Sequence, residues 1–275
     1  MSFFFKKSNL LPFIEIRGAS HSNACYHTHS HDEFSFGVID AGEANYRNLG
    51  RKLHIHKGST VTINPGDAHS CNPKAGNWSY RMLFVDTNWI GKLQQEMFNL
   101  YSQDYLPFAK PYENNMLTFQ LFNELFESLI NGSNALIAEE KLIQFIEQCY
   151  NINKSYINKG MQGLNSRQKI DTNKITIVKE LILDQLDCNL TLDEFSQHTG
   201  LSRYHLIRSF KQTYGQSPHA FQLDQRIQKS KSLLQQGNSI SDTANLLGFA
   251  DQSHFQRNFK KRIAVTPGQY QAFFI

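Results

Sequence analysis

Hydrophobic residues follow two different periods along this chain, and the change falls near residue 95. Before it, short runs rich in β-branched and aromatic residues, at 34–39 and 60–63, are separated by turn signals such as Asn64-Pro65-Gly66-Asp67. Many short strands at close spacing are typical of a barrel or a sandwich. Residues 1–95 are therefore predicted to form an all-β, barrel-like domain.

Apolar residues then recur at helical spacing. Leu117, Leu121, Leu125 and Leu129 lie four residues apart, and the polar run 131–134 ends that helix. A second apolar face follows at 142–149. The region 96–150 is predicted to contain an antiparallel helix pair, which either packs on the β domain or joins two subunits.

The rest of the chain divides into a linker and a helical domain. Residues 151–173 are polar and rich in Asn, Lys, Gly, Ser and Gln, as a linker is. Residues 174–275 are predicted to be all-α. They carry 12 basic and 8 acidic residues, whereas residues 1–173 carry 16 of each, so the whole net charge of +4 lies in the C-terminal domain. This distribution suits a polyanionic partner there.

Composition indicates the cellular compartment in which the protein is expected. No run reaches the roughly 18–20 apolar residues of a membrane span, and the start MSFFFKKS has the wrong order for a secretory signal. The four cysteines make no Cys-x-x-Cys pair. A cytoplasmic protein with free thiols and no membrane partner is expected.

An internal repeat carries the clearest functional signal. Glu194–Gly200 aligns with Asp242–Gly248, and Leu206–Lys211 aligns with Phe255–Lys260. Each copy has a small residue, a glycine four positions later, a helix cap, and an amphipathic helix carrying an Arg. These are the parts of a helix-turn-helix, predicted at about 191–212 and 239–262. The alternative is a helical bundle in which the repeat is only structural.

A single long helix is predicted between the two units. It spans 221–236 and is started by Ser217-Pro218. A rigid helix fixes the distance between two recognition helices, so that one chain reaches successive major grooves roughly 34 Å apart.

These residues resemble the AraC/XylS family of regulators over about 174–275. The matching motifs are Leu206-x-Arg208-x-Phe210-Lys211, Gly215-x-Ser217-Pro218, Arg226 in the linking helix, the run from Gly248-Phe249 to Lys260-Lys261, and Thr266-Pro267 before Tyr270. One departure is Ala264, where the family usually has Gly. The turn after the second recognition helix is therefore expected to differ slightly.

The resemblance implies DNA contacts on both recognition helices. The predicted DNA-binding residues are Ser202, Tyr204, Ile207, Arg208 and Lys211 in the first unit, and Gln252, Ser253, Gln256, Arg257 and Lys260 in the second. Arg bonds guanine bidentately and Gln bonds adenine, whereas Lys holds phosphates. The rival interpretation makes the two Arg structural ion-pair partners, and Ile207 either meets a thymine methyl or faces solvent.

The N-terminal part resembles the cupin-type sensor domain of the same family over about 10–90. The motifs are His27-x-His29-x-His31 and the stretch from Gly58 to Pro65-Gly66-Asp67-Ala68-His69. On a strand, the first three His would share one face. The predicted ligand-binding residues are His27, His29, His31, His69, Tyr46 and Arg81, with Arg17 and Tyr80 as further polar candidates.

Imidazoles in this number also suit a transition metal. Family sensor domains commonly keep such His without metal, so no metal, cofactor or catalytic residue is assigned.

The sequence thus predicts a transcription regulator, favouring an activator, that binds double-stranded promoter DNA under control of a small-molecule effector. RNA polymerase is expected as a partner of an activator, and a homodimer through 115–150 is a further expectation. Two alternatives stay open. One is a cupin metalloenzyme with a nucleic-acid-binding tail, and the other is a constitutive DNA-binding protein whose barrel only dimerises.

Overall fold

The computed structural model describes residues 2–74, 76–98, 105–151 and 166–275. Most of the predicted linker, 152–165, lies outside the described residues, and a helix already begins at Ser166. In the described part of the chain, no helix is long and apolar enough to cross a membrane.

The N-terminal domain is built on β-strands, as predicted, but its bounds differ from 1–95: a helix begins at Thr87, and one strand of the domain lies at Tyr112–Glu113. Its strands are β1 (Ser2–Lys7), β2 (Ile14–Ser22), β3 (Phe34–Ala41), β4 (Glu43–Asn48), β5 (Arg51–His56), β6 (Thr60–Ile63), β7 (His69–Pro73), β8 (Trp78–Val85) and β9 (Tyr112–Glu113). Six of them form an antiparallel sheet in the order β1-β2-β8-β3-β6-β9, and three form a second sheet in the order β5-β4-β7.

The two sheets form a sandwich, which corrects the expectation of a barrel. Ile39 and Trp78 of the larger sheet share a buried core with Tyr46 and Ile55 of the smaller one. Residues 23–33 form no strand beside β7 and meet it at a single bridge, His29 to His69.

Among the described residues, the helices after β8 and before the C-terminal domain are α1 (Thr87–Phe98), α2 (Met116–Asn131) and α3 (Ala135–Asn151). The predicted helix pair is α2 and α3, and it packs within the chain. Phe122 and Phe145 join the core of the larger sheet, where the Phe145 ring lies 5.3 Å from that of Phe36. Leu125 and Leu129 are buried, whereas Leu117 at the start of α2 is half exposed.

The C-terminal domain is all-α, as predicted. Its helices are α4 (Ser166–Asp184), α5 (Leu192–Thr199), α6 (Arg203–Tyr214), α7 (Pro218–Gln235), α8 (Ile240–Leu246), α9 (Gln252–Ile263) and α10 (Pro267–Gln271). The pairs α5–α6 and α8–α9 are the two predicted helix-turn-helix units, and α7 is the helix that links them.

Local chemistry sets the turns of both units. Thr191 and Glu194 form a capping box at the start of α5, and Gly200 ends that helix in the left-handed region at φ 66°. Ser202 and Asp251 cap the recognition helices α6 and α9. In the second turn Gly248 is required, because a Cβ there would lie 1.8 Å from the carbonyl oxygen of Asp187.

Ala264 keeps the turn expected of a glycine. It ends α9 in the left-handed region at φ 69°, and its amide donates to the carbonyl oxygen of Lys260. The substitution therefore leaves the shape of the turn intact, at the cost of backbone strain that a glycine would not carry.

Candidate ligand pocket and DNA-binding face

The sandwich contains a pocket of about 40 Å³. Its lining residues are Arg17, Tyr26, His29, His31, Ile39, Val61, Ile63, His69, Cys71, Trp78, Tyr80, Met82 and Phe84. The wall is mainly apolar and aromatic, with a small number of convergent polar groups, as in binding pockets for small ligands.

Three of the predicted histidines meet in this pocket. His29, His31 and His69 are buried, and their ring centroids lie 4.4–4.9 Å apart. Burial lowers the pKa of His69 to about 4 and the pKa values of the other two well below the usual 6.5, so all three rings are neutral at pH 7.

Arg17 brings a positive charge into the same pocket. This buried guanidinium donates hydrogen bonds to the hydroxyls of Tyr26 and Tyr80, and its Nε has no hydrogen-bond partner among the described residues. The two hydroxyls are themselves 2.5 Å apart. Arg17 also donates to the carbonyl oxygen of Ile263 at 3.2 Å, which connects the pocket to the C-terminal domain.

The structure corrects the prediction for His27. The segment 27–31 is not a strand, so its histidines do not alternate in one sheet. His27 is exposed outside the pocket, and its backbone amide donates to the carbonyl oxygen of Lys261 at 3.1 Å. The structure therefore places the side chain of His27 outside the pocket lining and its backbone against α9.

Tyr46 and Arg81 also lie outside the pocket lining. Tyr46 is fully buried between the sheets, and its hydroxyl accepts a hydrogen bond from Asn48. Arg81 forms a bidentate ion pair with Asp40 and stacks over the ring of Phe126 on α2. The reason is the two-residue period of β8, which turns Arg81 away from the face that Tyr80, Met82 and Phe84 present to the pocket.

A buried network joins the pocket to the linking helix. Ser30 lies between His29 and His31, and both its amide and its hydroxyl donate to Oδ2 of Asp224 on α7 at 2.6 Å. Asp224 is fully buried, and Arg262 of α9 lies 3.6 Å from its other oxygen. One carboxylate thus contacts the pocket loop, the linking helix and the second recognition helix.

The C-terminal ends of both recognition helices rest on the N-terminal domain. At the end of α6, a Cβ built on Gly215 would lie 2.8 Å from that of Ala68, which precedes His69. At the end of α9, the carbonyl oxygens of Lys261 and Ile263 accept bonds from His27 and Arg17.

The predicted DNA-binding residues lie on the two recognition helices or at their caps. Exposed among them are Ser202, Arg208, Lys211, Gln252, Ser253, Arg257 and Lys260, whereas Ile207 and Gln256 are half-buried. The side chain of Tyr204 lies outside the described part of the structure. The hydroxyl of Ser202 accepts from the amide of His205, so this residue acts as a helix cap.

Arg226, by contrast, is structural. Its guanidinium donates to the carbonyl oxygens of Leu186, Cys188 and Gly248, which ties α7 to the loop between α4 and α5 and to the turn of the second helix-turn-helix unit.

Sequence reasoning missed several residues of the pocket and the network. Tyr26, Trp78, Ser30 and Asp224 were not singled out. Asp224 and Lys231, two charged residues on the buried side of α7, are visible in the helical period of 221–236, but their partners come from residues about 200 positions earlier.

A β sandwich with an internal pocket, in direct contact with two helix-turn-helix units, defines a ligand-binding transcription regulator. Residues 14–146 match the model of the AraC-like ligand-binding domain, and residues 195–272 match a helix-turn-helix domain model.

Relatives agree with this assignment. YbfI of Bacillus subtilis, an uncharacterized HTH-type transcriptional regulator, is 29% identical over 229 residues, covering 82% of this chain and 80% of YbfI. The arabinose operon regulatory protein of Escherichia coli is 25% identical over 236 residues, covering 84% and 77%. The structure of a ToxT variant from Vibrio cholerae shares the fold, with a TM-score of 0.61, 16% identity, and coverage of 96% and 98%. The chain belongs to the AraC family of transcription regulators.

Proposed function

We propose that this regulator binds promoter DNA with the exposed faces of α6 and α9, and that a ligand in the sandwich pocket changes its affinity for that DNA. One observation carries the proposal. The ends of both recognition helices are bonded to or packed on residues that line or adjoin the pocket, namely Arg17, His27 and Ala68. A ligand that moves these residues changes how the two helices are held.

The roles of the DNA-contacting residues follow from their chemistry. Arg208 and Arg257 are exposed near the middle of the two recognition helices, and we assign each of them a bidentate contact with guanine. Lys211 and Lys260 lie one turn further along and are assigned to phosphates.

Two macromolecular partners complete the proposal. An activator of this kind contacts RNA polymerase.

A second copy of the chain would pair through residues 115–150, where Met116 and Leu136 are 79% and 73% exposed at opposite ends of the helix pair. The buried faces of α2 and α3 are already used within the chain, so dimerisation would rest on the remaining outer surface.

The test measures binding of the full chain to the DNA upstream of its own gene and to scrambled DNA, at two salt concentrations. Arg208→Ala and Arg257→Ala are each expected to lose about 1–3 kcal/mol of specific binding, because each removes one base contact. Arg47→Ala, an exposed Arg on β4, is the matched control and should bind like the wild type.

Specific binding that weakens with salt is the expected result. If a panel of promoters is bound no better than scrambled DNA, or if both recognition-helix variants bind like Arg47→Ala, the assignment of these helices is wrong. Turnover of a substrate at a bound metal, with no specific DNA binding, would favour the enzyme alternative instead.

A further inference from the structure

The three buried histidines form a cluster that the DNA-binding role does not use. We propose that His29, His31 and His69 bind one divalent transition-metal ion of the Zn²⁺ type, and that this binding is passed to the linking helix α7 through Ser30. The regulatory half of this proposal rests on the function proposed above, whereas metal binding does not.

The geometry of the cluster carries the first half. One ring nitrogen from each histidine lies within 4.8 Å of the other two. Zinc bonds imidazole nitrogen at about 2.0–2.1 Å, so tetrahedral ligands lie about 3.3 Å apart. Side-chain rotations, together with a small shift of the loop that carries His29 and His31, therefore bring the three nitrogens onto one ion without moving a strand.

Neighbouring carbonyl groups already orient two of the rings. Nδ1 of His29 donates to the carbonyl oxygen of His27 at 2.8 Å, and Nδ1 of His69 donates to that of Asp67 at 2.9 Å. These bonds leave the Nε2 lone pairs free, which is the arrangement that metal-binding histidines show. Nδ1 of His31 is buried and has no partner among the described residues.

The volume of the pocket is suited to a bound ion. A cavity of about 40 Å³ has room for two or three waters, since one water occupies about 10–15 Å³ on this measure. That space takes an ion and a further ligand, but it is too small for a sugar unless the walls move.

The charge of Arg17 affects which further ligand a bound ion would take. Its positive charge opposes a dication in the same pocket and lowers the affinity. An ion with three neutral imidazole ligands keeps an open position. A guanidinium nearby favours an anionic oxygen at that position over water. The expected occupant of the pocket is therefore an ion together with a small anion.

Ser30 carries the second half of the proposal. It lies between two of the three ligands, and it donates two hydrogen bonds to the buried carboxylate of Asp224 on α7. Drawing His29 and His31 toward an ion moves the backbone between them, which shifts these bonds. The linking helix joins both helix-turn-helix units, so this displacement reaches both.

The first experiment measures Zn²⁺ binding to the metal-free full chain by equilibrium dialysis at pH 7. One ion per chain is expected, with affinity at least about tenfold weaker in His29→Ala, His31→Ala and His69→Ala. His27→Ala and His54→Ala are the controls, because both side chains are exposed outside the cluster. Co²⁺ gives a second reading, since its absorption spectrum reports tetrahedral nitrogen ligation.

Thermal unfolding separates loss of ligands from loss of fold. Zn²⁺ should raise the Tm of the wild type and both controls, and leave that of His69→Ala unchanged. No saturable Zn²⁺ binding by the wild type overturns the metal site. So does a single-site affinity that all three cluster variants retain.

DNA binding with and without Zn²⁺ tests the coupling. The wild type should change its affinity several-fold. Ser30→Ala removes the hydroxyl bond to Asp224 and keeps the amide bond, so it should bind the ion normally and show a smaller response. Stoichiometric Zn²⁺ binding with no change in specific DNA affinity overturns the coupling alone. If the chain binds no specific DNA at all, the proposed function fails, and the dialysis result still decides the metal site.

Discussion

Asp224 connects the two domains through a buried carboxylate, and this burial disfavours its charged form. Its carboxylate is fully buried, accepts two bonds from Ser30, receives a weak bond from Gln216 and faces Arg262 at 3.6 Å. Burial is the largest influence and raises the pKa of this carboxyl to about 6, although its partners act in the opposite direction. Such a group favours the folded state most when it is protonated.

The expected consequence is a distinct pH dependence. Stability from Asp224 is fully present below its unfolded pKa, near 4, and is lost as the pH rises through about 6. Relative to Asp224→Asn, the wild type should lose up to about 3 kcal/mol of unfolding free energy between pH 4 and pH 7. Urea unfolding of both proteins across this range measures it. Parallel pH profiles for the two would contradict it.

At the scale of the element, the recognition helices depend on how they end. Helix α6 ends at Gly215 with φ 74°, whereas α9 ends at Ala264 with φ 69°. The left-handed region suits glycine and strains other residues, so the two ends have the same shape but different energies.

Ala264→Gly should therefore stabilise the chain by about 0.5–1 kcal/mol, because relief of strain outweighs the extra freedom of the unfolded chain. Ala272→Gly is the matched control at the end of α10, where φ is −63°, and it should be neutral or destabilising. Urea unfolding measures both. A loss of stability in Ala264→Gly equal to that in the control would show that the turn carries no strain.

At the scale of the whole molecule, the two domains share buried charge as well as backbone contacts. Lys231 on α7 is buried and pairs with Glu33 at 3.3 Å. Burial alone would lower the pKa of Lys231, but the nearby carboxylates of Glu33 and Glu15 more than offset this and raise it. Removing the carboxylate of Glu33 would leave a buried charge without its main partner.

Glu33→Gln is expected to lower the free energy of unfolding by about 1–3 kcal/mol, and adding Lys231→Met should restore more than half of it. The pair Lys141–Glu124 on the helix pair is the control, since it is more exposed and its neutralisation should change little. Equal losses in the single and double variants at the domain interface would mean that this ion pair does not couple the domains.

Much of the fold could be predicted because its signals are local. The repeat at 194–211 and 242–260 identified both helix-turn-helix units, since caps, turns and apolar faces depend on residues a few positions apart. The spacing of Leu125 and Leu129 identified a helix, but not which surface it would cover. That surface proved to be the larger sheet of the same chain.

The site was only partly predictable from the sequence, because the partners of several site residues lie far away along the chain. Sequence alone determined that His29, His31 and His69 were candidates and that the C-terminal half binds DNA. Tertiary structure decided that Arg81 turns away from the pocket, that His27 lies outside it, and that Arg17 bonds a carbonyl 246 residues along the chain. Side-chain direction and long-range partners arise only when sheets and domains pack, because that packing sets which groups lose water and must find each other.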